Sequence, residues 1–336
     1  MDVPPDNPTD ARLSRIVRLL SDNATVLISG TRVAEELGTT RSEVWRAVQQ
    51  LRDLGVQITG HPSTGYQLES VPDLLLPEVL GPMLSGTIFA PHIHHYFRLG
   101  STNMTAMQSA ATGEPEGAVF LAEQQIAGRG RGANSWESAQ SLGIYCSVVL
   151  RPNCSPGDAL LLSLIAGIAV AEAVEQTTGL HPDLRWPNDV LLDGRKFCGI
   201  LTEMNAEATR VRYVVIGIGI NVNHPSFSGE LEPIATSLRM ESGREWSRVE
   251  LTAALLRSLG NEYRKLAEGG GPARSSILQR FAERSSFVRS RHVHVDEGGG
   301  YEGVTEGLDD RGFLLVRTKA GLRTVFSGMV RALDGK

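Results

Sequence analysis

The nine residues Gly128-Arg129-Gly130-Arg131-Gly132-Ala133-Asn134-Ser135-Trp136 set two arginines among three alternating glycines. Glycine has no side chain and loses more backbone freedom on folding than any other residue. The stretch is therefore poor scaffold, but it can bring guanidinium and backbone close to an anion. It reads as a mobile lid over phosphate or carboxylate, with Trp136 offering a flat face to a base. A solvated Gly/Arg surface loop has the same spacing. Lysine usage adds a second signal: of 33 basic residues only four are lysine, and the first is Lys196. A compact ammonium delivers a point charge to a phosphate or carbonyl oxygen, which the planar fork of arginine does not.

Four further groups fall in the same half of the chain. They are Ser101-Thr102-Asn103, Arg185-Trp186-Pro187-Asn188-Asp189, Lys196-Phe197-Cys198-Gly199-Ile200-Leu201 with Glu203, and Gly217-Ile218-Gly219-Ile220-Asn221-Val222-Asn223. Singly, each also reads as structure: a helix cap, a core anchor or a tightly packed strand edge. Their joint occurrence argues against the purely structural reading. His92, His94 and His95 have strand or loop spacing without a fourth ligand nearby, so no metal site is expected there.

These residues need elements to position them. At 336 residues, 41% apolar and 21% charged, the chain reads as two or three globular domains. Met1 to Asp10 carries three Asp and three Pro with no basic or apolar region, so it is read as a flexible tail and no signal peptide. Leu160 to Ala171 is too short to span a bilayer and runs on into Glu172 and Glu175, which indicates a buried helix and no membrane association. Cys146, Cys154 and Cys198 lack metal or CxxC spacing and suit reduced thiols of a cytoplasmic protein.

Residues 11–70 show helical periodicity from Leu13 to Leu20, helices at Thr31–Leu37 and Ser42–Leu54, and two short strands around Gly60 to Thr64, which together make a winged helix. Its second helix would present Thr39, Arg41, Ser42, Trp45, Arg46 and Gln49 to a DNA major groove. Seven Arg against six acids over 11–69 also allow a winged helix used for protein contact. Residues 71–85 read as a linker. Residues 86–283 follow an α/β pattern, with strands at Ala118–Glu123, Ser141–Leu150, Val190–Leu192, Gly199–Glu203 and Arg212–Ile220. Long helices are expected at Asp158–Thr178, capped by Asp158, and at Ser247–Ala267. Residues 284–336 alternate apolar and polar positions between glycine turns, which suggests a small barrel.

The five motifs, in this order and spacing, resemble the biotin protein ligases, and the winged helix in front is similar to the bifunctional type that also represses transcription. The resemblance implies an α/β (α+β) three-domain chain: a winged helix-turn-helix, a central class-II-synthetase-like mixed sheet with helices, and a small SH3-like β-barrel. It implies a reaction in which biotin and ATP give biotinyl-AMP, with Mg²⁺, and the acyl group passes to a lysine of the biotin carboxyl carrier protein. It further implies biotin contacts from Ser101, Thr102, Asn103, Gln125, Arg129 and Lys196, with the backbone of Gly199 and Leu201 as a wall. Arg129 would orient the biotin carboxylate. Arg131, Trp136, Asn188 and Asn221 would hold ATP or the adenylate, Trp136 against adenine. Lys196, Arg129, Arg131 and Asp189 would be the catalytic set, with Asp189 taking the proton of the acceptor lysine. Operator DNA and an adenylate-dependent homodimer follow from the same resemblance. The family often has Lys at the place of Arg185 and a more basic loop than Gly132 to Ser135.

Three other readings stand beside this one. A lipoate ligase shares the architecture and the adenylate chemistry but lacks the attached winged helix. A biotin sensor without catalysis would not need Lys196, Arg129, Arg131 and Asp189. A ligase whose winged helix no longer binds DNA is consistent with the near-neutral charge of residues 11–69.

Overall fold

The structure is a computed structural model that describes residues 8–23, 26–61, 63–69, 73–132, 134–326 and 330–333. The expected tail at 1–10 falls mostly outside them, and the first helix, α1, already begins at Pro8 and runs to Ser21. Helix α2 (Gly30–Leu37) starts where the Ser29 hydroxyl accepts from the Arg32 amide, and Gly38 ends it in the left-handed conformation, φ 60°. Helix α3 (Arg41–Asp53) opens on a reciprocal capping box between Thr40 and Glu43. Val44, Val48 and Leu51 form its buried stripe. Strands β1 (Ile58–His61) and β2 (Gly65–Leu68) pair antiparallel as the wing, and Arg52 ties α3 to it by donating to the carbonyls of Ile58 and Gly60.

The stretch expected as linker carries a short helix, α4 (Pro77–Met83). Leu74 and Leu76 pack in the winged-helix core, while Leu75, Leu80 and Leu84 pack in the central core. Alternating leucines thus face two cores at once, a pattern that resembles a linker in sequence because no single face is apolar.

The central layer is a seven-stranded mixed sheet of β3 (Ile93–Tyr96), β4 (Val119–Ala122), β5 (Gly143–Leu150), β6 (Asp183–Arg185), β7 (Asp189–Leu192), β8 (Arg195–Ala206) and β9 (Val211–Asn221). The spatial order is β3-β4-β5-β9-β8-β7-β6, with β3 and β4 parallel and every other pair antiparallel. Helix α5 (Thr102–Ala111) lies against β4, β5 and β9. Helix α6 (Leu160–Thr178) is apolar all round because it is buried on nearly every side; it is the one described helix long and apolar enough to cross a membrane. Asp158 does not cap it. The Asp158 carboxylate accepts from Ser155 at 2.7 Å and pairs with Arg274 at 2.9 Å, leaving Ala159 as an uncapped start. After α7 (Leu238–Ser242), α8 (Arg248–Glu283) runs past the expected end at Ala267 and breaks direction at Gly270, φ 55°. Ser247 caps it by accepting from the Glu250 amide.

The tail forms an antiparallel sheet of β10 (Arg289–Val295), β11 (Tyr301–Leu308), β12 (Leu314–Thr318), β13 (Gly321–Val325) and β14 (Val330–Ala332), ordered β13-β12-β11-β10-β14. It grips the central layer through Trp186, whose indole donates to the Gly312 carbonyl at 2.9 Å. Arg185 lies over Phe287 and donates to the Val330 carbonyl. The position where Lys is common therefore serves the contact between these two sheets.

Arg248, 1% exposed, joins three parts of the chain. It pairs with Glu123 at 2.7 Å, with Asp73 at 3.3 Å, and donates to the Gly143 carbonyl. Burial disfavours the Glu123 carboxylate, but Arg248 and His95 outweigh it and bring its pKa down to about 2.

Candidate active site

A pocket opens where β8 and β9 run side by side, and its floor is glycine. Gly199 pairs with Gly219 and Leu201 with Gly217. None of these three glycines has positive φ, so their use is spatial. A Cβ on Gly217 would lie 2.5 Å from Asn103 Oδ1, and one on Gly219 would lie 2.6 Å from Trp136 Nε1. On Gly199 it would meet Trp136 Cζ3 at 2.9 Å. The alternation in Gly217-Ile218-Gly219 keeps the pocket face of β9 bare while Ile218 packs into the core.

The two registers define two ends, about 7 Å apart for two residues of strand. At the Gly217 end the amides and hydroxyls are neutral and satisfied by one another, and one ion pair closes them off. Gln125 Oε1 accepts from the Thr102 amide at 2.8 Å and its hydroxyl at 3.1 Å, and Gln125 Nε2 donates to Ser138 at 2.9 Å. The Ser147 hydroxyl lies 2.8 Å from Thr102 Oγ1 and 3.0 Å from Asn103 Oδ1. Ser101 stands at the start of α5 but makes no capping bond with its side chain, and it lines the pocket. Glu203 closes this end: its carboxylate accepts from Asn103 Nδ2 at 2.6 Å and from both terminal nitrogens of Arg129 at 3.2 and 3.0 Å.

At the Gly199 end the groups are charged or aromatic. Lys196 Nζ lies 2.5 Å from Asp189 Oδ1 and 5.5 Å from the centre of the Trp136 ring. Trp136 Nε1 is buried and has no hydrogen-bond partner among the described residues. Arg131 and Asn188 also line the pocket, and Asn188 is fixed by donating to the Ile200 carbonyl at 2.9 Å. Asn188 and Asp189 follow the cis Trp186–Pro187 bond.

The Gly/Arg stretch is more ordered than its composition suggests. Among the described residues it is a hairpin closed by Gly130 to Asn134 and Trp136 to Gly128 backbone bonds, turning at Gly132, φ 70°. Ala133 lies outside the described residues. Backbone pairing and the seated indole of Trp136 supply the order that glycine withholds.

Thus Ser101, Thr102, Asn103, Gln125, Arg129, Arg131, Trp136, Asn188, Lys196, Gly199 and Leu201 all bound one pocket, and Asp189 stands behind Lys196. Asn221 does not bound it: that side chain is buried and donates to the Thr236 carbonyl at 3.1 Å, bracing the loop after β9. Ser138 and Ser147 were not singled out from sequence; Glu203 was, beside the Lys196–Leu201 motif, but without a role in the site. Ser147 hides in the apolar run of β5, whereas Glu203, two residues beyond Leu201 on the same strand face, was within reach of a period-of-two argument.

On the winged helix, Arg41, Ser42, Trp45 and Arg46 are exposed and border a shallow cleft. Trp45 is 45% exposed in the middle of α3. Gln49 is half-buried. Thr39 is partly exposed, and its hydroxyl donates to the Glu43 carboxylate at the start of α3. His94 and His95 pair with Glu114 and Glu123, at 2.8 and 3.1 Å.

Comparison with known proteins fits this geometry. The profile of the Biotin/lipoate A/B protein ligase family matches residues 98–221, that of an HTH domain residues 12–67, and that of the Biotin protein ligase C terminal domain residues 291–330. The bifunctional ligase/repressor BirA of Bacillus subtilis is 34% identical over 315 residues, covering 93% of this chain and 96% of that one. The biotin–[acetyl-CoA-carboxylase] ligase of Mycobacterium tuberculosis is 36% identical over 233 residues, 67% of this chain and 82% of that one. Among solved structures, the Aquifex aeolicus biotin protein ligase in complex with biotin and ATP aligns with a TM-score of 0.62 at 26% identity, covering 73% of this chain and all of that one.

Proposed function

Because this chain belongs to the biotin protein ligase family, we propose that it joins biotin to ATP as biotinyl-5'-AMP, transfers biotin to a lysine of the biotin carboxyl carrier protein, and represses transcription through its winged helix. The observation that carries the ligase reading is the polarity of the pocket. Inside the Arg129–Glu203 pair that closes it, its Gly217 end is lined by neutral amides and hydroxyls suited to a ureido ring, whereas Lys196 and Trp136 stand at its Gly199 end. A ligand with a neutral head and an acidic tail fits in one direction only.

In the first step the biotin carboxylate attacks the α-phosphorus of ATP and pyrophosphate leaves. Lys196 and Arg131 offset the repulsion between carboxylate and phosphate and stabilise the charge that develops on the α-phosphate. Mg²⁺ takes one or two carboxylates together with substrate phosphates, and Asp189 with the neighbouring Asn188 suits that donor set. In the second step the acceptor amine attacks the acyl carbon, the acyl–phosphate bond breaks and AMP leaves. Asp189 receives the amine proton. Trp136 covers the reacting end and keeps water from the mixed anhydride.

For repression, the ordered hairpin and adenylate would favour a homodimer, and two copies of α3 would then meet paired half-sites of an operator. The carrier protein would compete for the same surface. The three units at 11–70, 86–283 and 284–336 would act as DNA-binding, catalytic and C-terminal domains in the cytoplasm.

The test is incubation with biotin, ATP, Mg²⁺ and purified carrier protein. The carrier should gain the mass of one biotinyl group, and the gain should vanish with Lys196→Ala. A carrier of unchanged mass with the native protein would sink the ligase reading.

A further inference from the structure

Arg129 is held at the end of the pocket opposite the one where its expected role would place it. Both of its terminal nitrogens donate to Glu203, and the Glu203 oxygen that takes one of them also accepts from Asn103 Nδ2. Asn103 sits over Gly217, in the Leu201 register. Lys196 and Trp136 sit at the Gly199 register, two residues further along both strands. A guanidinium anchored beside Asn103 has its charge neutralised by Glu203 and stands by the neutral head of the ligand.

We propose that Arg129 and Glu203 form a clasp that holds the Gly128–Trp136 hairpin shut over the Asn103 end, with Glu203 as a positioning residue, while Lys196 and Arg131 alone meet the ligand carboxylate. This rests on reading the pocket as a biotin site. The bidentate fork fixes direction as well as distance, so a single carboxylate sets both the hairpin and the Asn103 amide. Arg129 is 42% and Glu203 25% exposed, so solvent screens the pair and its effect is modest.

The test compares the affinity of biotin with that of biotinamide, which has the same head and a neutral tail, in the absence of ATP. Arg129→Met should weaken both ligands by the same factor, about fivefold. Glu203→Gln and Glu203→Asp should do likewise, and Arg129→Met with Glu203→Gln together should be no worse than either alone. Lys196→Ala should weaken biotin and spare biotinamide. A loss confined to biotin in Arg129→Met, or additive losses in the double variant, would overturn the clasp. If the native protein bound neither ligand, the biotin reading itself would fall, and the clasp with it.

Discussion

Trp136 owes its seat to Gly219: a side chain on that glycine would lie 2.6 Å from the indole nitrogen. The Gly/Arg hairpin and the β9 glycines, far apart in sequence, are thus two halves of one surface. Gly219→Ala should displace the indole and slow adenylate formation by about 5- to 150-fold, the factor to which overpacking of about 1–3 kcal/mol converts. Because the cost falls on a movable loop, the melting temperature should stay near that of the native protein. Normal adenylation kinetics in this variant would show that Trp136 does not cover the reacting end.

Lys196 should dominate the chemistry. Removing a preorganised donor at developing charge costs on the order of 10²–10³ in rate, so Lys196→Ala should slow biotinyl-AMP formation by that factor in single-turnover kinetics. The fold should survive, because the lysine is one-third exposed.

Asp189 divides the two steps. Asp189→Asn should still form biotinyl-AMP but pass it to the carrier more slowly, with the defect easing at higher pH as the acceptor amine loses its proton unaided. Normal transfer from preformed adenylate would remove Asp189 from the role of base.

Acid should destabilise the chain in two stages. Burial lowers the His224 pKa to about 4, and Arg248 with His95 hold Glu123 at about 2 against its burial. Both are depressed below their unfolded values. Each therefore stabilises fully above its unfolded pKa and loses that contribution as pH falls toward the folded one. The window runs from about 6.5 to 4 for His224 and from about 4.5 to 2 for Glu123. Chemical denaturation across this range should show stability falling from near pH 6, and Glu123→Gln should flatten the lower stage.

DNA binding should separate from ligation. Arg46→Ala should weaken operator binding and reduce its salt dependence by about one unit of slope, as expected for a lost phosphate contact, while carrier biotinylation is unchanged. A variant that binds DNA as before would remove Arg46 from the interface.

Much of this was legible because it is local. The Thr40 and Ser247 caps lie three residues from their partners, and the strand alternation around Gly217 reports a face directly. What was not legible depends on distant partners. Glu203 stands 74 residues from Arg129, and only the fold shows that the arginine is held beside Asn103. The family resemblance offered Asn221 as an adenylate ligand, and only the fold shows its amide donating to the carbonyl of Thr236. Asp158 has the chemistry of a cap, and Arg274 on the far half of α8 claims it instead. Linker and helix are indistinguishable in 71–85 until two cores are in place.

The most direct measurement omits the carrier. The native protein is mixed with biotin, ATP and Mg²⁺, freed of unbound ligand and denatured, and the released small molecules are weighed by mass spectrometry. Biotinyl-AMP stoichiometric with the chain, and lost in Lys196→Ala, is the outcome that the two-ended pocket requires. Biotin recovered unchanged, with no adenylate, would contradict it.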